Sequence, residues 1–120
     1  MALFNEDEKK NALNKATREV ESLLLEGEEI EETYLLENDY LSFTNKRVVF
    51  VDNDPSKMEV TINSLPYSKI AEVGLVKNNR VNIYTGEILI YTVNGKYAVK
   101  LNKEVDIIGV YNRIYEKINL

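Results

Sequence analysis

Lys46 and Arg47 are the residues most open to a chemical reading. They stand side by side inside the apolar stretch SFTNKRVVFV, Ser42 to Val51. Two adjacent cations suit a phosphate, a lipid head group or a nucleic acid; the same pair also suits the solvated tip of a β-hairpin. Most charges at turns are simply solvated, so the spacing favours the hairpin tip, with Arg47 clamping a carboxylate such as Asp39 or Asp52. A second candidate is DNDPS, where Asp52, Asp54 and Ser56 alternate as in the start of a calcium loop. The pattern then breaks. Lys57 stands where the loop needs glycine and Asn63 where it needs the closing glutamate, so no metal site is assigned.

The rest of the chemistry is missing. The chain has no histidine, cysteine or tryptophan. That removes Ser-His-Asp and Cys-His nucleophilic machinery and the usual zinc ligands. YTGEI and VNGKY are single-glycine turns and not phosphate-cradling loops. Carboxylates could do acid–base work, but no pattern brings two into one cleft. The expectation is no catalytic residue, no cofactor site and no enzyme.

Composition narrows the class further. Among 120 residues, 44% are hydrophobic and 29% charged, as in an ordinary globular domain. No apolar run reaches the ~18–20 residues of a membrane span. The start, MALFNEDEKK, lacks a basic-then-apolar secretory pattern. With no cysteine, a reducing cytoplasm is the expected compartment. The net charge of −5 is unevenly spread, because residues 1–32 hold ten acids against four bases. No basic stripe appears, which excludes a nucleic-acid partner.

The elements that must position these residues read as helix, strands, helix. Asn5 with Glu8 makes a capping-box-like start to a helix over residues 6–26, whose stripe is Leu13, Ala16, Val20, Leu23 and Leu24. Gly27 supplies its left-handed stop. This helix is expected to cover a sheet. From Glu28 the period changes to two through EEIEETYLL, DYLSFT, RVVFVD, MEVTINSL, YSKIAEVGLV, EILIYTV and YAVKLN. That gives about seven antiparallel strands, a β core over residues 28–102, in a sandwich or barrel.

Asn45-Lys46 as a turn pairs Phe43 with Val48 and Leu41 with Phe50 on one face, Ser42 and Tyr40 lying opposite Val49 and Val51 on the other. Asn tolerates positive φ there. Asn94-Gly95 as a type I′ turn pairs Ile90 with Val99 and Ile88 with Leu101. Leu89, Tyr91 and Ala98 then form a second face apolar enough to need a cover, either the N-terminal helix or a neighbouring subunit. A closing helix over residues 105–118 has the stripe Ile107, Tyr111, Ile114 and Ile118, widened by Ile108 and Tyr115, with Gly109 costing ~1 kcal/mol against alanine.

Four segments sharpen this order: LLLEGEEIEETYLL, DYLSFTNKRVVFVD, LPYSKIAEV and VDIIGVYNRIYEKI. Together they resemble the bacterial pleckstrin-homology domain family, with its acidic Leu-Leu-x-Gly-Glu opening, an aspartate before a strand, Phe-Thr-Asn-x-Arg and Pro-Tyr-x-x-Ile. Here those positions are Asp39, Phe43, Thr44, Asn45, Arg47, Pro66, Tyr67 and Ile70. The chain departs at Asn38, where the family tends to be basic, and in NDPSKME and KNNRVNIYTG.

The resemblance implies a single PH-like domain over residues 1–120. It would be mainly β, a seven-stranded, bent antiparallel sandwich with a C-terminal capping helix and an added N-terminal helix. It implies no catalysis, and related domains form ring-shaped homo-oligomers. A non-catalytic, self-assembling cytoplasmic scaffold is therefore the expected function, with an unidentified protein partner and peptide binding beside the C-terminal helix as further readings. Lipid binding at the membrane surface is disfavoured, because the first hairpin loop, Leu36-Glu37-Asn38-Asp39, is acidic and would repel an anionic head group.

Overall fold

The computed structural model describes residues 6–36, 39–52 and 56–119. Its elements run α1 (Glu6–Glu21), β1 (Ile30–Leu35), β2 (Tyr40–Thr44), β3 (Arg47–Asp52), β4 (Thr61–Pro66), a 3-10 turn (Tyr67–Lys69), β5 (Ile70–Asn78), β6 (Ile83–Thr92), β7 (Gly95–Lys100) and α2 (Ile107–Ile118). The strands form a four-stranded sheet in the order β1-β2-β3-β4 and a three-stranded sheet in the order β5-β6-β7. The chain divides into two compact units, residues 1–64 and 65–120.

In the first unit the β2–β3 register is the one expected: Tyr40↔Val51, Leu41↔Phe50, Ser42↔Val49 and Phe43↔Val48. Because side chains alternate across a strand, Leu41, Phe43 and Val48 share one buried face. On the other face, Val49 and Val51 pack against Val20 of α1, with Leu24, Ile30 and Tyr40 around them. The stripe of α1 is thus placed on the first sheet. Ala16 and Val20 are buried, while Leu13 and Leu23 at its ends stay exposed.

Helix α1 ends five residues before the expected boundary. The Leu25 N–H is taken by the Glu28 carboxylate and the Leu23 carbonyl by Arg47, so the backbone there has partners outside a helix. Gly27 does adopt positive φ (77°), but in the turn that delivers Glu28 and not as the helix stop. The Asn5 cap lies outside the described residues.

In the second unit the β6–β7 register differs from expectation. Ile88 pairs with Val99 and Ile90 with Tyr97, because the chain reverses at Val93-Asn94 and Gly95, at φ 149°, is already the first residue of β7. A slip of two keeps every residue on its face. Ile88, Ile90, Val99 and Leu101 are accordingly all buried.

Helix α2 packs on β5, β6 and the 3-10 turn through buried Val110 and Ile114. Ile107, Tyr111 and Ile118 lie half-buried along the same helix, but Ile108 and Tyr115 face solvent and do not widen the stripe. Asp106 caps the helix by accepting from the Gly109 N–H at 3.1 Å, and a Cβ at Gly109 would stand 2.5 Å from that carboxylate. The glycine that weakens the helix therefore makes room for its cap.

Candidate functional site: the Glu28–Arg47 clamp

The two cations that raise the ligand question part company in the structure. Lys46 is exposed at the hairpin tip. Arg47, first residue of β3, turns back toward the segment that leads out of α1. Its Nε donates to Glu28 Oε2 and its Nη2 to Glu28 Oε1, each at 2.8 Å, a fork-on-fork pair. Nη2 also donates to the Leu23 carbonyl at 2.8 Å, and Nη1 to Ser64 Oγ at 3.0 Å. The carboxylate that Arg47 takes is thus Glu28, not Asp39 or Asp52. With its guanidinium engaged in four hydrogen bonds, little of it is left to grip a phosphate.

Glu28 is buried, with 5% of its surface exposed. Besides the guanidinium it accepts from the Thr44 hydroxyl at 2.6 Å and from the Leu25 N–H at 3.0 Å. Burial raises the pKa of this carboxyl. The bonds from Arg47, Thr44 and Leu25 and the charge of Arg47 outweigh that and bring it down to about 2.

A carboxyl depressed in the fold binds fewer protons than its unfolded counterpart, so acid favours the unfolded chain. The stability contributed by Glu28 is complete above the unfolded value near 4.5 and is lost as pH falls through about 2. Urea titrations between those limits are expected to show a loss of about 3 kcal/mol that a Glu28→Gln variant lacks.

Thr44 and Asn45 complete the clamp. The Thr44 hydroxyl accepts from the N–H groups of Lys46 and Arg47, both at 3.0 Å, and so shapes the turn. Asn45 does not use positive φ; among the described non-glycine residues only Asn82 does, at 57°. Its side chain instead grips the opening, Nδ2 donating to the Gly27 carbonyl at 3.0 Å and Oδ1 accepting from the Glu29 N–H at 2.8 Å, while its own N–H donates to the Glu29 carbonyl at 3.1 Å.

Asn45→Pro should therefore cost about 3 kcal/mol through these three bonds, at roughly 1 kcal/mol each. Lys46→Ala should change stability by less than about 0.5 kcal/mol. A matched pair of thermal melts decides both; a large drop for Lys46→Ala would return the turn charge to the list of ligand groups.

The other motif is also structural. Pro66 closes β4 at φ −59° and starts the 3-10 turn, whose Tyr67 carbonyl accepts from the N–H of buried Ile70. The Tyr67 ring lies under Lys117 Nζ of α2, 5.5 Å from its centroid. Tyr40 ties α1 to β2 by donating its hydroxyl to Glu19, and burial, then Glu19, push its pKa up. The DNDPS stretch and the first hairpin loop lie partly outside the described residues.

Sequence reasoning missed Glu28 as the partner, although the Gly-Glu opening and the Thr-Asn-x-Arg turn that meet here were both in view. The same two motifs matter to the comparison with known proteins, where the pattern of the bacterial PH domain family matches residues 2–118. The chain belongs to the bacterial PH domain family.

A Bacillus subtilis relative, the uncharacterized protein YozO, is 35% identical over 91 residues, covering 75% of this chain and 78% of the relative. Two solved structures share the fold. A DUF1696 family protein with a pleckstrin-homology domain from Shewanella loihica aligns at TM-score 0.70 and 20% identity, covering 88% of this chain and 92% of that one. A pleckstrin homology domain from Shewanella amazonensis aligns at 0.70 and 21%, covering 88% and 87%. In this PH domain, then, Thr44, Asn45 and Arg47 of the Phe-Thr-Asn-x-Arg motif fasten the segment after α1 to the β2–β3 hairpin.

Proposed function

We propose that this PH domain is a non-catalytic interaction module, residues 1–120 acting as one domain that assembles with copies of itself in the cytoplasm. The observation that carries the reading is the outer face of β6 and β7. Leu89 and Tyr91 are only half-buried and Ala98 is exposed, while the stripe of α1 is placed on the first sheet. Partly open apolar faces of this kind mark association surfaces.

Charge supports a head-to-tail arrangement. Residues 1–64 hold fifteen acids and seven bases, a net of −8, and residues 65–120 hold five acids and eight bases, a net of +3. Unlike surfaces on one chain attract between copies, and a heterologous contact must close into a ring or run on as a filament.

Light scattering after size exclusion tests this. The wild type should elute as a closed oligomer, and Tyr91→Lys should lower the mass while leaving the circular dichroism melt in place. A monomeric wild type at high micromolar concentration would end the assembly reading.

A further inference from the structure

Strand β7 ends its sheet. In the order β5-β6-β7 the two outer strands are β5 and β7. Helix α2 packs along β5, whereas β7 has one strand beside it, β6. Five of the six residues of β7 are exposed, and Val99 alone is buried.

The ladder shows which backbone groups this edge leaves open. The Leu101 N–H donates to the Gly86 carbonyl at 2.8 Å. From there the register runs without a shift through Ile88↔Val99 and Ile90↔Tyr97 to Thr92↔Gly95. In an antiparallel pair, alternate residues turn both backbone groups to the partner strand. Gly95, Tyr97 and Val99 therefore bond to β6, while Lys96, Ala98 and Lys100 turn their N–H and C=O groups outward. Such a row of groups is a template for a further strand.

The side chains select what that strand can be. Lys96 and Lys100 share one face, ~13 Å apart along the strand, and both are exposed. Lys100 Nζ gives one proton to the Thr85 carbonyl at 2.9 Å and keeps two more to donate. From Ile88 to Lys103 the chain carries three bases and no acid, in a protein of net charge −5. On the other face Tyr97 is 37% exposed, in line with buried Val99 and Leu101.

We infer that β7 takes an extended acidic segment of another protein as the fourth strand of its sheet. The fitting segment alternates. Carboxylates lie opposite Lys96 and Lys100 on one face, and apolar side chains lie beside Tyr97 and Val99 on the other. Main-chain bonds to the outward groups supply the binding, and the two charge pairs supply the choice of partner. Lysines on an edge also repel a strand of their own kind, so a second β7 is refused where an acidic strand is admitted. The inference concerns the edge of β7 and not the outer face proposed for self-association, and it does not depend on that reading.

Fluorescence anisotropy tests this, with the labelled peptide Ser-Glu-Val-Thr-Val-Glu-Ser titrated with the full chain. The peptide reads the same in either strand direction. Saturable binding is expected, to weaken with added salt, and to be lost when lysine replaces both glutamates of the peptide. Lys96→Glu with Lys100→Glu should lower affinity for the acidic peptide about tenfold and confer binding of the lysine peptide. Ala98→Pro removes one outward N–H and none from the β6 ladder, so it should abolish binding in a chain that still folds. The proposal fails if the acidic peptide does not bind, if both peptides bind alike, or if the charge exchange leaves affinity unchanged. It fails too if Ala98→Pro lowers the light-scattering mass while peptide binding is untouched, which would make the edge a subunit contact.

Discussion

Replacing Arg47 by alanine is expected to destabilise the chain by about 3–5 kcal/mol, the cost of leaving a buried charge without its partner. Glu28 would keep its burial and lose the guanidinium that gives it two bonds and a counter-charge. The melting temperature should fall by more than ~10 °C. The acid response should weaken as well. Without Arg47, only the bonds from Thr44 and Leu25 are left to oppose burial, so the Glu28 pKa rises and the variant loses less stability than wild type as pH falls. Arg47→Lys should recover only part of the loss, since an ammonium cannot make the fork. Urea titrations at two pH values measure all of this. A melt within a degree or two of wild type would show that the clamp is incidental.

Phe43→Ala is the second large effect, about 3–5 kcal/mol from lost burial and the cavity left behind. The side chain is fully buried, on the same face as Leu41 and Val48, with the Tyr34 ring edge-on at 5.9 Å. No charge changes, so its destabilisation should be the same at pH 7 and at pH 3. That flat profile separates a packing loss from the clamp loss. A cost under ~1 kcal/mol would mean that the neighbouring side chains collapse into the space.

How much of this was legible in the sequence depends on what each element needs. Hydrophobic period two places residues on faces, and it did so correctly for both hairpins. It does not choose the loop. At Asn45-Lys46 the turn residues and the pattern agree, and the register follows. At Asn94-Gly95 the familiar turn signal points one residue too far along, and only the parity of the slip preserves the faces. The expected strand EILIYTV begins at Glu87, but β6 begins at Ile83. Asn79, Arg80 and Asn82 make that stretch look like loop, and the hairpin they close was not foreseen.

The clamp is the clearest case of a long-range fact. Asp39 and Asp52 are near Arg47 in sequence, and nothing in local pattern ranks Glu28 above them. What selects Glu28 is the turn at Gly27 and the grip of Asn45 on Gly27 and Glu29, which together bring residues 27–29 beside the β2–β3 hairpin. The interaction sites offered here are legible mainly as exposure and charge on folded strands, and period alone gives neither.

The fork between Glu28 and Arg47 also restricts how this chain can drift. Either partner changed alone leaves a buried charge or an orphaned guanidinium, while exchanging both for apolar residues of similar volume is often neutral or stabilising. The two positions are coupled well beyond additivity. A lineage can therefore leave the charged pair only by crossing a deep single-mutant valley or by changing both residues at nearly the same time. Ser64, which serves Arg47, would become free to vary only after that crossing, while Thr44 would stay tied to the backbone N–H groups of the turn.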